Sequence, residues 1–281
     1  MKILAIGDFH GKFPGRLYRL AKEADLILSA GDFFPWSMKK IFFKHCYKKE
    51  KYLWDIIGKK KYKELTLKDL ARGESKVIKP MNDLGNKAIT TIGNYDSTNT
   101  NDQYNEEKWN KKWGWAEQDF LAKILKKYKN IRRTDYKFTR AGGLVIIGGF
   151  GHSSPGDEKS TAFKKHKKVL ENLFRKFKKE NKEGKVIFIF HNMPFNTKLD
   201  IISRKAAKEA RGKHFGSKLT RQIIDRFHPI LAIGGHMHEN QGKCRIGRTL
   251  VVNPGAAVDG KAAIIDFDEK KKKVLSVDFI R

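Results

Sequence analysis

The sequence predicts an α/β fold on three observations. Apolar runs of strand length recur at Ile3 to Ile6, Leu26 to Ala30, Ala88 to Ile92, Val186 to Phe190 and Ile230 to Ile233. Each ends in a short polar island: Gly7-Asp8-Phe9-His10, Gly31-Asp32, Gly93-Asn94-Tyr95-Asp96, His191-Asn192 and Gly235-His236-Met237-His238. Helical spacing fills much of the chain between them, and open α/β sheets carry their chemistry at the carboxyl ends of their strands.

The elements follow in order. Arg16 to Ala24 places Leu17, Leu20, Ala21 and Ala24 on one helical face and leads into the second strand, a β-α-β unit. From Trp36 the chain turns to Lys, Phe, Tyr and Trp without strand alternation, so a helical insertion is expected over about 36–73. Val77 to Leu84 is a helix before the third strand. A second helical insertion, polar and rich in Trp109, Trp113 and Trp115, is expected over about 97–130. Tyr136 to Thr139 and Leu144 to Ile147 are strands joined by Ala141-Gly142-Gly143. Lys159 to Glu183 is expected as one long basic helix stopped by Gly184, and Ser217 to Phe227 as another with Leu219, Ile223, Ile224 and Phe227 on one face. Thr249 to Val252, Ala262 to Phe267 and Val274 to Phe279 close the chain as strands, with no internal repeat.

At 281 residues the chain can bury a large core, and one domain over 1–281 is expected. Cys46 and Cys244, the only cysteines, have no pairing pattern, which favours a reducing, cytoplasmic setting. Met1-Lys2 runs straight into a strand, so no leader peptide is expected; no apolar run reaches membrane-helix length, so neither is a membrane partner. Sixty Lys+Arg against 31 Asp+Glu give a net charge of +29, which suits an anionic partner such as nucleic acid. The basic runs recur on almost every expected helix, however, and lysine far outnumbers arginine. A proteome-wide bias toward lysine accounts for that equally well.

The islands contain the residue types that phosphate-ester hydrolysis requires. Two divalent metals about 3.5–4 Å apart make a nucleophile from water near neutral pH and clamp the phosphoryl group. A bridging carboxylate, several imidazoles and a neutral amide suit Mn, Fe or Zn better than Ca. Asp8, His10, Asp32, His236 and His238 supply these types, and Asn94 and His191 complete the set. Taken singly, a histidine after an apolar strand is more often structural. The shared order, each island at a strand end, is what points to a dinuclear centre.

That order, Asp8-x-His10, Gly31-Asp32, Gly93-Asn94-x-Asp96, His191 and Gly235-His236-x-His238, resembles the calcineurin-like metallophosphoesterase superfamily across most of the chain. His191-Asn192-Met193-Pro194, His214-Phe215-Gly216-Ser217 and Val252-Asn253-Pro254-Gly255 are similar to its branch related to cyclic-nucleotide phosphodiesterases. The resemblance implies a two-sheet β-sandwich flanked by helices, a four-layer α/β/β/α fold with two metals at the strand ends between the sheets. It also implies that Asp8, His10 and His238 hold one metal, that Asp32 bridges, and that Asn94, His191 and His236 hold the other. Manganese is the first expectation, with iron, zinc, nickel or cobalt as alternatives.

One position departs from the family pattern. Many members have histidine after the island's asparagine, where it can protonate the leaving group; this chain has Tyr95. A phenol, which ordinarily titrates at about pH 10, donates a hydrogen bond but shuttles protons poorly near neutrality. Tyr95 and His152, in the Gly-rich segment after the Leu144 strand, are therefore the candidates for assisting the leaving group, with Asn94 stabilising developing charge. His214 precedes a helix N-terminus, where a packing role outweighs an anion-binding one. His45, His166 and His228 lack site context and are expected on the surface or on helices. The tryptophans are expected to pack on the core, with base stacking as the alternative.

The expected function is a metal-dependent phosphodiesterase or phosphomonoesterase in which a two-metal-bound hydroxide attacks phosphorus in line. A nuclease on DNA or RNA is the alternative that the charge would suit. A non-catalytic scaffold is the other, and the intact ligand set argues against it.

Overall fold

Alternation along the strands decides how the layers stack. In β1 (Lys2–Ile6), Leu4 and Ile6 point to one side and Ile3 and Ala5 to the other; in β7 (Val186–Asn192), Phe188 and Phe190 oppose Ile187 and Ile189. Both faces of these strands are buried, so each sheet must be covered twice. The computed structural model, which describes residues 1–46, 49, 51–96, 113–150, 158–203 and 211–281, meets this with two six-stranded mixed sheets packed face to face and helices outside.

The first sheet runs β12-β11-β1-β2-β3-β4, from β2 (Leu26–Ser29), β3 (Lys87–Thr90), β4 (Ile131–Arg133), β11 (Ala262–Asp268) and β12 (Lys273–Ile280) around β1. The second runs β5-β6-β7-β8-β10-β9, with β5 (Phe138–Ala141), β6 (Leu144–Gly148), β8 (Leu231–Gly235), β9 (Gly242–Ile246) and β10 (Thr249–Asn253). β1, β2 and β3 are parallel neighbours, as are β6, β7 and β8, so the islands following β1, β2, β3, β7 and β8 emerge at one end of the sandwich.

The middle layer is Ile3, Ala5, Leu28, Ile89, Ile187, Ile189, Leu231 and Ile233. Outside the first sheet, Leu17 and Ala21 of α1 (Gly15–Lys22) cover Leu4, Ile6 and Ile27. Outside the second, α7 (Thr161–Lys176) and α9 (Lys218–Phe227) cover Phe188, Phe190 and Ala232. Each fully buried Leu, Ile or Phe stabilises this arrangement by about 1.5–3 kcal/mol before chain entropy is counted. The Ser160 and Ser217 side chains cap α7 and α9 by accepting N–H bonds from Phe163 and Thr220, both at 3.1 Å.

Among the described residues of 36–73 the chain forms α2 (Lys39–His45), α3 (Leu53–Ile57) and α4 (Lys59–Gly73), with a small core of their own from Met38, Cys46 and Leu53. A wide helical turn at Glu74–Ile78 and α5 (Lys79–Asp83) lead to β3. Of the second insertion, Gly114–Glu117 forms a helical turn and α6 spans Phe120–Leu125, while Trp109 lies outside the described residues.

The structure corrects four expectations. β4 (Ile131–Arg133) follows directly on the expected second insertion, where no strand was expected; three residues with two arginines carry no strand pattern, and pairing with β3 creates the strand. β9 was not expected, because its alternating Lys243 and Arg245 are the charges of a solvent-facing edge strand. β5 sits two residues later than the Tyr136 start. The long basic helix breaks at Phe177, which leaves helical geometry (ψ 30°) with its ring packed 4.5 Å from that of Phe138; α8 (Lys178–Lys182) then completes it. Gly184, at φ +68°, ends the segment as anticipated. No helix among the described residues is long and apolar enough to cross a membrane.

Candidate metal centre

The site is framed by backbone. After β1 the chain folds against the end of β2: Asp8 N–H donates to Gly31 O (2.9 Å), Phe9 and His10 N–H to Asp32 O (2.8 and 3.0 Å), and Gly11 N–H to Phe33 O (2.9 Å). These turns need left-handed residues, and four candidate ligands provide them: Asp8 (φ +56°), His10 (φ +45°), Asp32 (φ +58°) and His236 (φ +67°). Non-glycine residues adopt this region rarely and at an energetic cost, and such strain concentrates at functional sites. Gly31 (φ +87°) meets the same demand where a Cβ would run into the Gly93 backbone.

Asp96 locks the frame. Its buried carboxylate accepts N–H bonds from Asp32 (2.6 Å), Phe33 (2.7 Å) and Gly93 (2.9 Å), tying the third island to the second. Burial and the neighbouring Asp32 carboxylate push Asp96 up to about 7 against those donors. Its island was evident in the sequence, but its role was not assigned; an acid two residues after Asn94 was the available signal.

All seven candidate ligands converge on this frame. His238 Nε2 lies 3.3 Å from Asp8 Oδ1 and 3.2 Å from His10 Nε2. Asp32 Oδ2 stands between His10 Nε2 (3.9 Å) and His191 Nε2 (3.6 Å), while its Oδ1 accepts the Tyr95 N–H at 2.7 Å. Asn94 Oδ1 is 2.6 Å from His191 Nε2 and 2.9 Å from His236 Nδ1. The ligand atoms of Asp8, His10 and His238 lie within 4.8 Å of one another, as do those of Asp8, Asp32 and His191.

The chemistry of this donor set fits cations. His191 Nδ1 donates to Ala30 O at 2.8 Å, which fixes its tautomer and leaves an Nε2 lone pair aimed at the Asn94 oxygen and the Asp32 carboxylate. Asp8 and Asp32 are both buried and close together. Burial and Asp8 raise Asp32 well above the usual carboxylate range, whereas burial at Asp8 is outweighed by the hydrogen bond to His238 and by the nearby imidazoles, which hold it low. Burial lowers His10 to about 4 and also lowers His191, which keeps both imidazoles neutral near pH 7. At His238, burial is overcome by the Asp8 bond, and the net shift is upward. Imidazoles, of which burial keeps His10 and His191 neutral, buried carboxylates and an amide oxygen with converging lone pairs are the donor types that suit a divalent metal.

Of the other sequence candidates, Tyr95 lies at the rim, its ring 4.9 Å from that of His10 and 5.1 Å from that of Trp36. Burial raises its pKa further, which deepens its weakness as a proton shuttle. His152 lies outside the described residues. His214 donates from Nδ1 to buried Asp200 (2.8 Å), which also accepts from the Thr197 and Gly216 N–H groups, so it helps clasp the loop after β7 and is not among the converging ligands. His166 is on α7 as expected but buried, bonded to the Tyr136 hydroxyl. His45 lies on α2, and His228 ends α9 at φ +48°. Trp113 and Trp115 pack on Trp54, Tyr62 and Phe120, the packing role anticipated for them.

A sequence profile described as "Metallophosphoesterase, calcineurin superfamily" matches residues 114–277, more than half of the chain. An uncharacterized protein of Methanocaldococcus jannaschii is 25% identical over 284 aligned positions, covering 99% of this chain and 97% of that one. One crystal structure superposes with a TM-score of 0.68 at 20% identity, over 100% of this chain and 99% of that one. A second, TT1561 of Thermus thermophilus, superposes with a TM-score of 0.58 at 17% identity over the same shares.

Proposed function

Since the chain belongs to the calcineurin-superfamily metallophosphoesterases, we propose that it hydrolyses a phosphate ester with two divalent metals held at the strand ends. The observation that carries this is the position of Asp32 Oδ2 between His10 Nε2 and His191 Nε2, 3.9 and 3.6 Å away, where one carboxylate can serve two ions. Asp8, His10 and His238 would hold one ion and Asn94, His191 and His236 the other, with manganese the first expectation. When bound, such ions lower the pKa of a water toward ~7 and neutralise phosphoryl oxygens.

The chain's own residues supply the rest. The carbonyl of Ala30 keeps the His191 lone pair facing inward, and Asp96 keeps the Asp32 turn closed. Asn94 places a polar amide where charge develops, and the half-buried Tyr95 narrows water access at the rim. Tyr95 and His152 remain the proposed groups for assisting the leaving oxygen.

The test is a metal-reconstituted screen over bis-p-nitrophenyl phosphate, p-nitrophenyl phosphate, cyclic nucleotides and single- and double-stranded DNA. Turnover of small esters supports a general phosphoesterase. Salt-sensitive DNA cleavage, for which the charge of +29 is the motive, would make it a nuclease, with log affinity falling by about 0.9 per log salt for each phosphate neutralised. No turnover with any metal would leave a scaffold.

A further inference from the structure

Several lysines among the described residues pair with carboxylates, near in sequence as in Lys61–Glu64 and Lys79–Asp83 or far apart as in Lys127–Glu74 and Lys218–Glu158. Lys39 is placed differently. It opens α2, and the backbone before it is clamped: the N–H and hydroxyl of Ser37 both donate to Asp69 Oδ2 of α4 at 2.9 Å. Met38, 3% exposed, anchors the same turn against Cys46 and Leu53, and Lys39 N–H donates to Trp36 O at 3.1 Å. Burying Asp69 and a methionine to fix one turn is more than an exposed lysine needs.

The turn faces the candidate metal centre. Trp36 lies against Tyr95 and Tyr95 against His10, with centroid separations of 5.1 and 4.9 Å, so the insertion touches the site through two rings. Lys39 Nζ stands over the Tyr95 ring, 5.7 Å from its centroid, beside the phenol oxygen, and its charge acts on both His10 and Asp32. No carboxylate among the described residues forms an ion pair with it. An ammonium on a flexible stem, fixed at its base and directed at a site for an anionic group, is the arrangement that grips phosphoryl oxygens as a point charge.

We propose that Lys39 contacts the substrate, its ammonium taking a phosphoryl oxygen at the rim of the metal centre beside the Tyr95 phenol. The inference rests on the phosphoesterase reading and adds to it a substrate-binding residue supplied by the 36–73 insertion. Because the attraction scales with the charge on phosphate, a dianionic monoester or inorganic phosphate gains more from Lys39 than a monoanionic diester does.

The test uses the manganese-loaded full chain with inorganic phosphate as the probe, read by calorimetry and by competitive inhibition, with Lys39→Met, Lys39→Arg and Lys40→Met compared. A lost charge-assisted contact corresponds to a roughly ten- to hundredfold change. Lys39→Met is expected to weaken phosphate binding by at least that lower factor and to raise KM for p-nitrophenyl phosphate more than for bis-p-nitrophenyl phosphate. Metal content should be unchanged, Lys39→Arg should recover most of the binding, and Lys40→Met should match wild type. Unchanged phosphate binding in Lys39→Met, an equal loss in Lys40→Met, or loss of metal from Lys39→Met would overturn the inference alone. A wild type that neither binds phosphate nor turns over any ester would overturn the phosphoesterase reading and the inference with it.

Discussion

The inner and outer walls of the site are built by different means. The inner wall is backbone: strand-end turns after β1, β2, β3 and β8, locked by N–H bonds to Asp32 O and Asp96 and paid for in left-handed conformations at Asp8, His10, Asp32 and His236. The outer wall is side chains from an insertion with its own core: Trp36 and Lys39 meet Tyr95 through ring contacts and one ammonium. Backbone turns of this kind tolerate almost no change in spacing, whereas a helical insertion can exchange side chains without disturbing the sheets. On the proposed function, the inner wall would hold the metals and the outer wall would bear on the substrate.

The largest effect should come from the inner wall. Asp32→Ala removes the carboxylate placed between the two ligand groups and is expected to abolish ester hydrolysis, a loss of at least about a thousandfold, while the protein still melts cooperatively. Near-normal turnover would contradict the bridging role. Asp96→Ala should cost less, since it touches no candidate metal. Four buried N–H donors, those of Asp32, Phe33, Phe34 and Gly93, lose their acceptor, and supporting residues of this kind typically matter roughly ten- to a hundredfold in metal affinity or activity. A metal titration showing unchanged affinity would remove Asp96 from the frame.

On the outer wall, Tyr95→His should change selectivity more than overall rate. Turnover of alkyl phosphodiesters should rise relative to p-nitrophenyl esters, whose leaving group departs without a proton. Equal effects on both substrates would show that position 95 is not where the acid acts.

The smallest effect lies away from the site, at His166. Burial lowers this imidazole to about 4, below its unfolded value of about 6.5, so between those pH values the unfolded chain binds more protons. Its neutral-state stability is therefore intact above about pH 6.5 and is lost as pH falls toward 4. His166→Gln should flatten that part of the stability profile, and urea midpoints of the two proteins should converge with acidification. A constant gap across this range would contradict it.

The inner wall was legible in the sequence because each ligand follows an apolar run, so strand and site announce one another: Asp8 after Ile6, Asp32 after Ala30, His191 after Phe190. The outer wall was not. Lys39 is one of 60 basic residues, and only the folding of α2 and α4 around Ser37 and Asp69 distinguishes it. Strands β4 and β9 escaped for a related reason, since Arg132, Arg133, Lys243 and Arg245 make them look like loops until a neighbouring strand pairs with them. The break at Phe177 depends on where its ring finds Phe138, a contact that helical periodicity does not contain.

The central claim is that the converging ligands form a centre for two metals, and elemental analysis of manganese-reconstituted protein tests it most directly. Two metal ions per chain are expected for wild type, falling together in Asp32→Ala, with one retained in His10→Ala. Fewer than two in wild type, or two retained in Asp32→Ala, would contradict it.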